Sequence, residues 1–392
     1  MKKIYFDNNA TTKTSPKVLE AMKPYFCDIY GNASSVHASG REAKAAMEAA
    51  REKTATLIGA EDPKEIIFTS GGTESNNMAI KGAAWTNKEK GNHIITSSIE
   101  HLAVLGPCDS LKAQGFEITK VPVDKYGIVS LEALKKAITP KTILVTIMFA
   151  NNEVGTIEPI KEIAEICKQN GILFHTDAVQ AAGKIPVNAG ALGVDMLSVS
   201  AHKFHGPKGI GALYLRKRTK ITPLTQGGHH ERNLRPGTEN IPAIVGMGAA
   251  CELIGQNLEN KKEYLTKLRD TLYNRIAQSI DYISLNGHPQ LRLPNTVNIG
   301  FEFLEGESIV LNLDLEGIAV STGSACTSGT LEPSHVLSAM AVAPEKIQGS
   351  VRFSLSEENT TEDIDYVVKI LPPIVKRLRA MSPLYADRIK RT

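Results

Sequence analysis

The chain has little of what marks several classes of protein. It has 5 cysteines in 392 residues (Cys27, Cys108, Cys167, Cys251 and Cys326), and none of them forms a C-x-x-C pair. An odd number without paired spacing argues against a disulfide framework or a zinc ribbon and for a reducing compartment. Charge of one sign is also missing. The formal net charge is +3 with no long basic block, and a run such as Arg216-Lys-Arg218 reads as a solvated loop. Nothing there suggests nucleic acid as a partner. Long apolar runs are absent, and Ile143–Ala150 is far too short to span a bilayer. Only Ile4-Tyr-Phe6 stands between the N-terminal lysines and Asp7, which is no signal-peptide core. Internal repeats and low-complexity segments are absent as well. The expectation is a cytoplasmic protein that binds neither nucleic acid nor membrane.

What is present is ordinary globular composition, 42% hydrophobic and 22% charged, at a length that allows more than one core. Short β-branched runs alternate with helical patterns from about residue 40 to 255. Strands are expected at Glu65–Thr69, His93–Thr96, Glu117–Val121, Thr142–Met148, Ile172–Thr176, Asp195–Ser200 and Gly211–Leu215. Helices are expected at Arg41–Ile58, Glu74–Trp85, Leu131–Ala137 and Ile160–Asn170. Such alternation predicts an α/β fold with a mostly parallel seven-stranded sheet covered by helices. The pattern changes near residue 256. A long amphipathic helix, Leu258–Ile280, precedes strands at Asn295–Phe301 and Val351–Leu355 and a last helix at Thr361–Leu378. The predicted division is a large domain over residues 15–255 and a smaller α+β domain over 256–392, joined by the N-terminal segment 1–14. The polar tail after Ser382-Pro383 is expected to be poorly ordered on its own.

The chemistry concentrates where strands end. Leu197-Ser-Val-Ser-Ala-His-Lys203 is an apolar run closing in a lysine, followed by a Gly-Pro-Lys-Gly turn. A lysine at such a place can have its pKa lowered and form a Schiff base. Lys208, inside the turn, is the rival and is expected to be exposed. Asp177 closes a similar strand in Phe174-His-Thr-Asp177. A carboxylate there is an N-cap or turn residue, or else the anion that keeps a pyridine nitrogen protonated. A lysine for an aldehyde and an acid for a ring nitrogen are what a pyridoxal 5'-phosphate site needs, and Gln180 could reach the ring hydroxyl. Upstream, strand Glu65–Thr69 runs through Ser70-Gly-Gly72 into a helix with Thr73 as candidate N-cap. This is either a plain connection or a phosphate site at a helix N-terminus. Ser200 and His202 share strand parity and could hold a phosphate on one face.

Cys326 lies in Val320-Ser-Thr-Gly-Ser-Ala-Cys326-Thr-Ser-Gly-Thr330, a small, hydroxyl-rich run that reads as a loop. Cys167 and Cys251 fall in helical patterns as small core residues, whereas Cys326 is a candidate nucleophile. Arg352 is either a surface strand residue or a fork for a substrate carboxylate. His202 and His205 raise a metal reading, but no carboxylate or cysteine stands at ligand spacing nearby, so no metal site is expected; a metal protein using His205, His229 and His230 is the remaining alternative.

In order along the chain, the motifs are Asp7-Asn-Asn-Ala-Thr-Thr12, Thr69-Ser-Gly-Gly-Thr-Glu-Ser-Asn-Asn77, Glu100-His-Leu-Ala-Val104, Asn151-Asn-Glu-Val-Gly155, His175-Thr-Asp-Ala-Val-Gln180, Ser200-Ala-His-Lys203, Arg235-Pro-Gly-Thr-Glu-Asn240, Gly323-Ser-Ala-Cys-Thr-Ser-Gly329 and Arg352-Phe-Ser354. This set resembles the cysteine desulfurases of the nitrogen-fixation and iron–sulfur-assembly type, within the class V aminotransferase group of fold-type I pyridoxal phosphate enzymes. The resemblance covers nearly the whole chain. It implies Lys203 as the lysine bonded to the cofactor and as base at the substrate's Cα. It implies His101 stacked on the cofactor ring, Asp177 on the ring nitrogen, and Gln180 on the ring hydroxyl. Gly72, Thr73, Ser200 and His202 would surround the phosphate. Thr238 would reach the phosphate in a partner subunit, which implies a homodimer. Asn152 and Arg352 would take the carboxylate of L-cysteine. Cys326 would accept sulfur as a persulfide, and transient iron–sulfur ligation by Cys326 is the only metal contact implied.

The sequence departs from the family pattern at His230, Asn233 and Pro236, beside Thr238. Met381-Ser-Pro-Leu-Tyr385 resembles a C-terminus that docks an iron–sulfur scaffold or another sulfur acceptor. An aminotransferase or selenocysteine lyase on the same fold is the rival enzyme, since fold alone does not fix function. A scaffold with a degenerate site is the non-enzymatic alternative, and the Lys203, Asp177 and His101 set argues against it.

Overall fold

A computed structural model describes residues 3–322 and 333–390; Cys326 lies outside the described residues. The strands in chain order begin with β1 (Ile4–Tyr5). They continue with β2 (Ile66–Thr69), β3 (His93–Ser97), β4 (Glu117–Val121), β5 (Thr142–Thr146), β6 (Leu173–Asp177), β7 (Met196–Ser200) and β8 (Gly211–Leu215). From β2 to β8 they form a seven-stranded sheet in the order β2-β8-β7-β6-β5-β3-β4. Only β8 runs against its neighbours; the other pairs are parallel. Every residue of β2, β3, β5 and β7 is buried. Strands covered on both faces read as continuous apolar runs, which is why this α/β sheet was legible in the sequence.

Several boundaries moved for identifiable reasons. The expected strand Glu65–Thr69 starts at Ile66, because Pro63–Glu65 forms a short turn closed by a capping box between Asp62 and Glu65. The expected strand Thr142–Met148 stops at Thr146, and the Met148 N–H turns to Glu100 Oε1 (2.9 Å). The helix expected from Arg41 begins at Ala38, where His37 Nδ1 caps it by accepting from Gly40 N. It ends at Gly59, whose φ of 63° closes the last turn. The helix Gly72–Thr86 has Gly71 as its N-cap, so Thr73 lies inside the first turn and is not the cap.

A second sheet, antiparallel, contains β9 (Ile283–Asn286), β10 (Thr296–Phe301), β12 (Ser321–Thr322) and β13 (Ser350–Ser354) in the order β12-β13-β10-β9. The helices Leu258–Ser279 and Thr361–Ala380 pack on it through Leu265, Leu272, Ile276, Ile364, Val367 and Leu371. Ile4 and Phe6 belong to the same core, and β1 pairs in parallel with β11 (Ile318–Ala319). The chain then passes back toward the large sheet: Asn8 N donates to Ser354 O, and Thr12 N donates to His202 O. The tail expected to be poorly ordered forms the helix Pro383–Lys390. Tyr385 packs against the rings of Tyr282 and Phe303, with the Arg379 guanidinium over both tyrosines. These contacts come from residues far away in sequence, which a reading of the tail alone does not see.

Candidate active site

Side chains and backbone following the carboxyl ends of β2, β3, β5, β6 and β7 converge on one cavity of about 310 Å³. This is where ligands bind in open α/β sheets. Gly72, Thr73, His101, Asn152, Asp177, Gln180, Ser200, His202, Lys203 and Arg352 all line it. Of the described residues to which the resemblance gives a role, Thr238 is the exception. It is exposed, on a surface segment that does not line this cavity.

Each part is held in place. β7 ends at Ser200, and Ala201–Lys203 form a short 3-10 turn. Ser200 therefore meets the cavity from the end of the strand and His202 from the turn, so strand parity does not relate them. Lys203 Nζ donates to the backbone carbonyls of Asn9 (2.6 Å) and Ala10 (2.7 Å), which the N-terminal segment brings from the second core. Lys208 is exposed, as expected. Asp177 is buried; its Oδ2 accepts from Asn76 Nδ2 (2.6 Å) and its Oδ1 from Val179 N (2.9 Å). Arg352 is buried rather than on the surface. Its Nη2 donates to Asp7 Oδ1 (2.7 Å) and its Nη1 to the Asn152 carbonyl (3.0 Å).

The histidines are poised neutral. Burial holds the His101 imidazole below its ordinary value, with Lys203 and His335 adding to this and Asp177 opposing it. Its Nδ1 accepts from Ala103 N (3.0 Å), which leaves Nε2 to carry the proton. His202 is pushed down to about 4, by burial first and then by Lys203, Lys208 and Lys184. Burial raises Glu100 to about 8, despite bonds from Ser97 and the Met148 N–H. Glu100 is thus largely uncharged at neutral pH and does not compete with Asp177 for a cation.

At the other end, the turn Ser70–Gly72 opens into the N-terminus of the 15-residue helix Gly72–Thr86. A Cβ on Gly72 would stand 2.6 Å from Val179 Cγ2, so a glycine is needed for the turn to lie this close to β6. Glu74, the acid of this first turn, is turned away from an incoming anion by the Ser70 N–H (2.6 Å) and Arg235 (3.0 Å). The donor set fits pyridoxal phosphate. It offers an amine for the aldehyde and a buried carboxylate for the ring nitrogen. For the phosphate it has a helix N-terminus with Thr73, Ser200 and a neutral His202.

Sequence reasoning gave no role to Asn9, Ala10, Asp7, Asn76 or Lys184. The first four lie inside motifs that were noticed. Lys184 had a signal of its own, a lysine in the apolar run Ala181-Ala-Gly-Lys-Ile-Pro186. Among the described residues, no group of His, Cys, Asp and Glu is arranged to hold a metal ion.

Fold and site together define a pyridoxal phosphate-dependent enzyme. The chain belongs to the aminotransferase class-V family, whose model matches residues 4–367. It is 56% identical to a protein of Methanosarcina thermophila named cysteine desulfurase IscS, covering 98% of this chain and 94% of that one. A protein of the same name from Clostridium botulinum is 51% identical, with 99% and 98% covered. Among solved structures, a NifS-like protein superposes with a TM-score of 0.91 at 42% identity, covering 96% of this chain and all of its own. A structure titled "SspA in complex with cysteine" has a TM-score of 0.81 at 38% identity, covering 91% and 99%.

Proposed function

We propose that the chain is a cysteine desulfurase that takes sulfur from L-cysteine, releases L-alanine and carries the sulfur as a persulfide on Cys326. The supporting observation is the meeting of Lys203, Asp177, His101 and Arg352 on one cavity, in a chain 56% identical to a named cysteine desulfurase. Bound pyridoxal phosphate supplies an aldehyde that joins an amine and a ring that withdraws electrons from the substrate's Cα.

The protein's part follows from its groups. Lys203 would hold the aldehyde carbon until the substrate amine replaces it. Parked by the Asn9 and Ala10 carbonyls, the freed amine would then move a proton at Cα. Asp177, fixed by Asn76 and the Val179 N–H, would keep the ring nitrogen protonated. The neutral His101 would lie against the ring and serve proton transfer through Nε2. Gly72, Thr73, Ser200 and His202 would take the phosphate, and Gln180 the ring oxygen. Arg352 and Asn152 would take the substrate carboxylate. The Cys326 thiolate would attack the substrate sulfur: an S–S bond forms, the substrate C–S bond breaks, and its carbons end protonated as alanine. Overall, one cysteine and one thiol become one alanine and one persulfide, with no outside oxidant or reductant.

Further parts of the reading concern partners. A homodimer is supported by Phe26, Tyr30 and Val36, which are 59%, 78% and 89% exposed on one chain. It is supported also by Thr238, which is exposed and does not line its own chain's cavity. The sulfur acceptor would be an iron–sulfur scaffold or another sulfur-transfer partner. Among the described residues no single helix is long and apolar enough to cross a membrane, and we place the protein in the cytoplasm.

The test combines borohydride reduction of the loaded protein, peptide mass spectrometry and a sulfide assay. The expected result is a pyridoxyl adduct on Lys203 in both the parent and Cys326→Ala, with sulfide release from cysteine lost only in the variant. No adduct on Lys203, or full sulfide release by Cys326→Ala, would defeat the proposal.

A further inference from the structure

Lys184 is fully buried next to the site, yet its described bonds go only to neutral oxygens. Nζ donates to Gln180 Oε1 (2.5 Å) and to Asn9 Oδ1 (2.9 Å). It stands just after Gly183, whose φ of 77° and close contact with Phe204 (a Cβ there would be 2.6 Å from Phe204 Cβ) suit no larger residue. Lys184 lines a small neighbouring cavity together with Lys203 and Phe204.

A lysine offers only donors. Whatever amide atom faces the protonated amine must be an oxygen, so Lys184 acts with the Asn9 and Asn152 carbonyls in fixing how its partners' amides are turned. For Gln180 the oxygen points to Lys184 and the NH₂ points away, where Nε2 donates to the Asn9 carbonyl (2.9 Å) at the cavity wall. For Asn9, Oδ1 accepts from Lys184 and from Asn295 Nδ2 (3.1 Å), while Nδ2 donates to the Asn152 carbonyl (3.0 Å) and Thr296 Oγ1 (2.9 Å). The Asn9 carbonyl that receives Gln180 is also the one that parks Lys203 Nζ. One buried amine thereby helps set the polarity of a network touching the cofactor lysine, a cofactor-binding amide and a substrate-binding backbone.

We propose that Lys184 is a positioning residue, which fixes the Gln180 amide with its N–H toward the cavity and holds the Asn9 backbone where it receives Lys203. The bound cofactor's ring oxygen then meets a donor rather than an acceptor. Burial, followed by the charges of Lys203 and Arg352, pulls Lys184 well below the ordinary lysine value. The orientation is enforced by the protonated amine, whose three N–H groups leave it nothing with which to accept.

The inference rests on the pyridoxal phosphate reading, and its test separates the two. The holoenzyme's visible absorbance is titrated with pH in parent, Lys184→Met, Gln180→Leu and the double variant, with the Lys203 adduct checked by mass spectrometry in each. Loss of a donor to an oxyanion raises the pKa linked to it, so Lys184→Met should titrate at least about 0.5 pH unit above the parent. Its effect should largely vanish in the Gln180→Leu background, because coupled residues are not additive. If Lys184→Met does not accumulate, Gln180→Glu decides. It keeps an oxygen for Lys184 but has no N–H, and should titrate like Gln180→Leu. The inference is overturned if Lys184→Met titrates with the parent, if its shift persists undiminished without Gln180, or if Gln180→Glu matches the parent. Absence of the adduct in the parent would instead remove the cofactor reading itself.

Discussion

Glu231 offers the sharpest test of how the site's surroundings are held. Its carboxylate receives Arg51 in fork geometry, Nη1 to Oε2 at 2.8 Å and Nη2 to Oε1 at 2.7 Å, and Oε2 also accepts from Phe68 N (2.8 Å). Both side chains are 2% exposed, and the guanidinium also lies over the Phe68 ring. Burial works against the Arg51 charge, and the bond and charge of Glu231 outweigh it. Glu231, Arg232 and Asn233 all sit in left-handed backbone, with φ of 43°, 58° and 66°, a conformation that residues other than glycine keep only when their surroundings hold it. Glu231→Ala leaves the buried guanidinium only the half-exposed Glu48 (3.1 Å) and the Ile66 carbonyl (2.9 Å), and it orphans the Phe68 N–H. Removing one partner of a buried pair costs about 3–5 kcal/mol. For a unit the size of the large sheet and its helices, that is a fall in Tm of roughly 6–20 °C. Replacing the pair together, Arg51→Met with Glu231→Leu, leaves no orphan charge and should recover part of the loss, the Phe68 N–H remaining unpaired. If Thr238 serves a partner subunit's phosphate as proposed, Glu231→Ala, at the strained turn that leads to it, should also weaken retention of pyridoxal phosphate. The assay is a thermal melt of all three variants alongside cofactor release. A single variant within about 1 kcal/mol of the parent, or a double variant as unstable as the single, would refute the reasoning.

Other outcomes follow from the same geometry. Glu357 accepts from Lys261 Nζ (2.6 Å) and lies 3.0 Å from His205 Nε2, joining the Lys203 loop to the second core. Although burial alone would raise it, the His205 hydrogen bond and the Lys261 ion pair hold its carboxyl well below the usual range. A depressed folded pKa gives stability that is present above the unfolded carboxylate value and lost as pH falls through the folded one. The Tm gap between parent and Glu357→Gln should therefore be full near neutral pH and shrink below about pH 4; a gap that widens on acidification would contradict this. Arg352→Lys should raise KM for L-cysteine by about tenfold or more while leaving the Lys203 adduct intact, since a lysine cannot reproduce a bidentate fork. An unchanged KM would take Arg352 out of substrate binding.

How much of this was legible depends on range. The large sheet could be read because its strands are buried on both faces and so announce themselves locally. Lys203 and Asp177 could be read because each closes such a strand, and a strand end in an open α/β sheet is a site by topology. Cap geometry was harder, since Gly71 rather than Thr73 starts its helix and His37 starts another. The fit of the tail was hidden because its partners, Tyr282 and Phe303, lie far back in the chain.

The amino-acid order by itself determined the identity of the chemical groups: a lysine, an acid, a histidine and a phosphate turn, each at the end of a recognisable element. Only the tertiary structure decided what holds them. Lys203 rests on a carbonyl 194 residues away, and Arg352 is braced by Asp7 across 345. A hydrogen bond requires only that two groups meet with the right donor and acceptor, and no local pattern records which distant backbone will arrive. That is why Lys184, an unremarked residue in an apolar run, emerges from the fold as the group that orients its neighbours' amides.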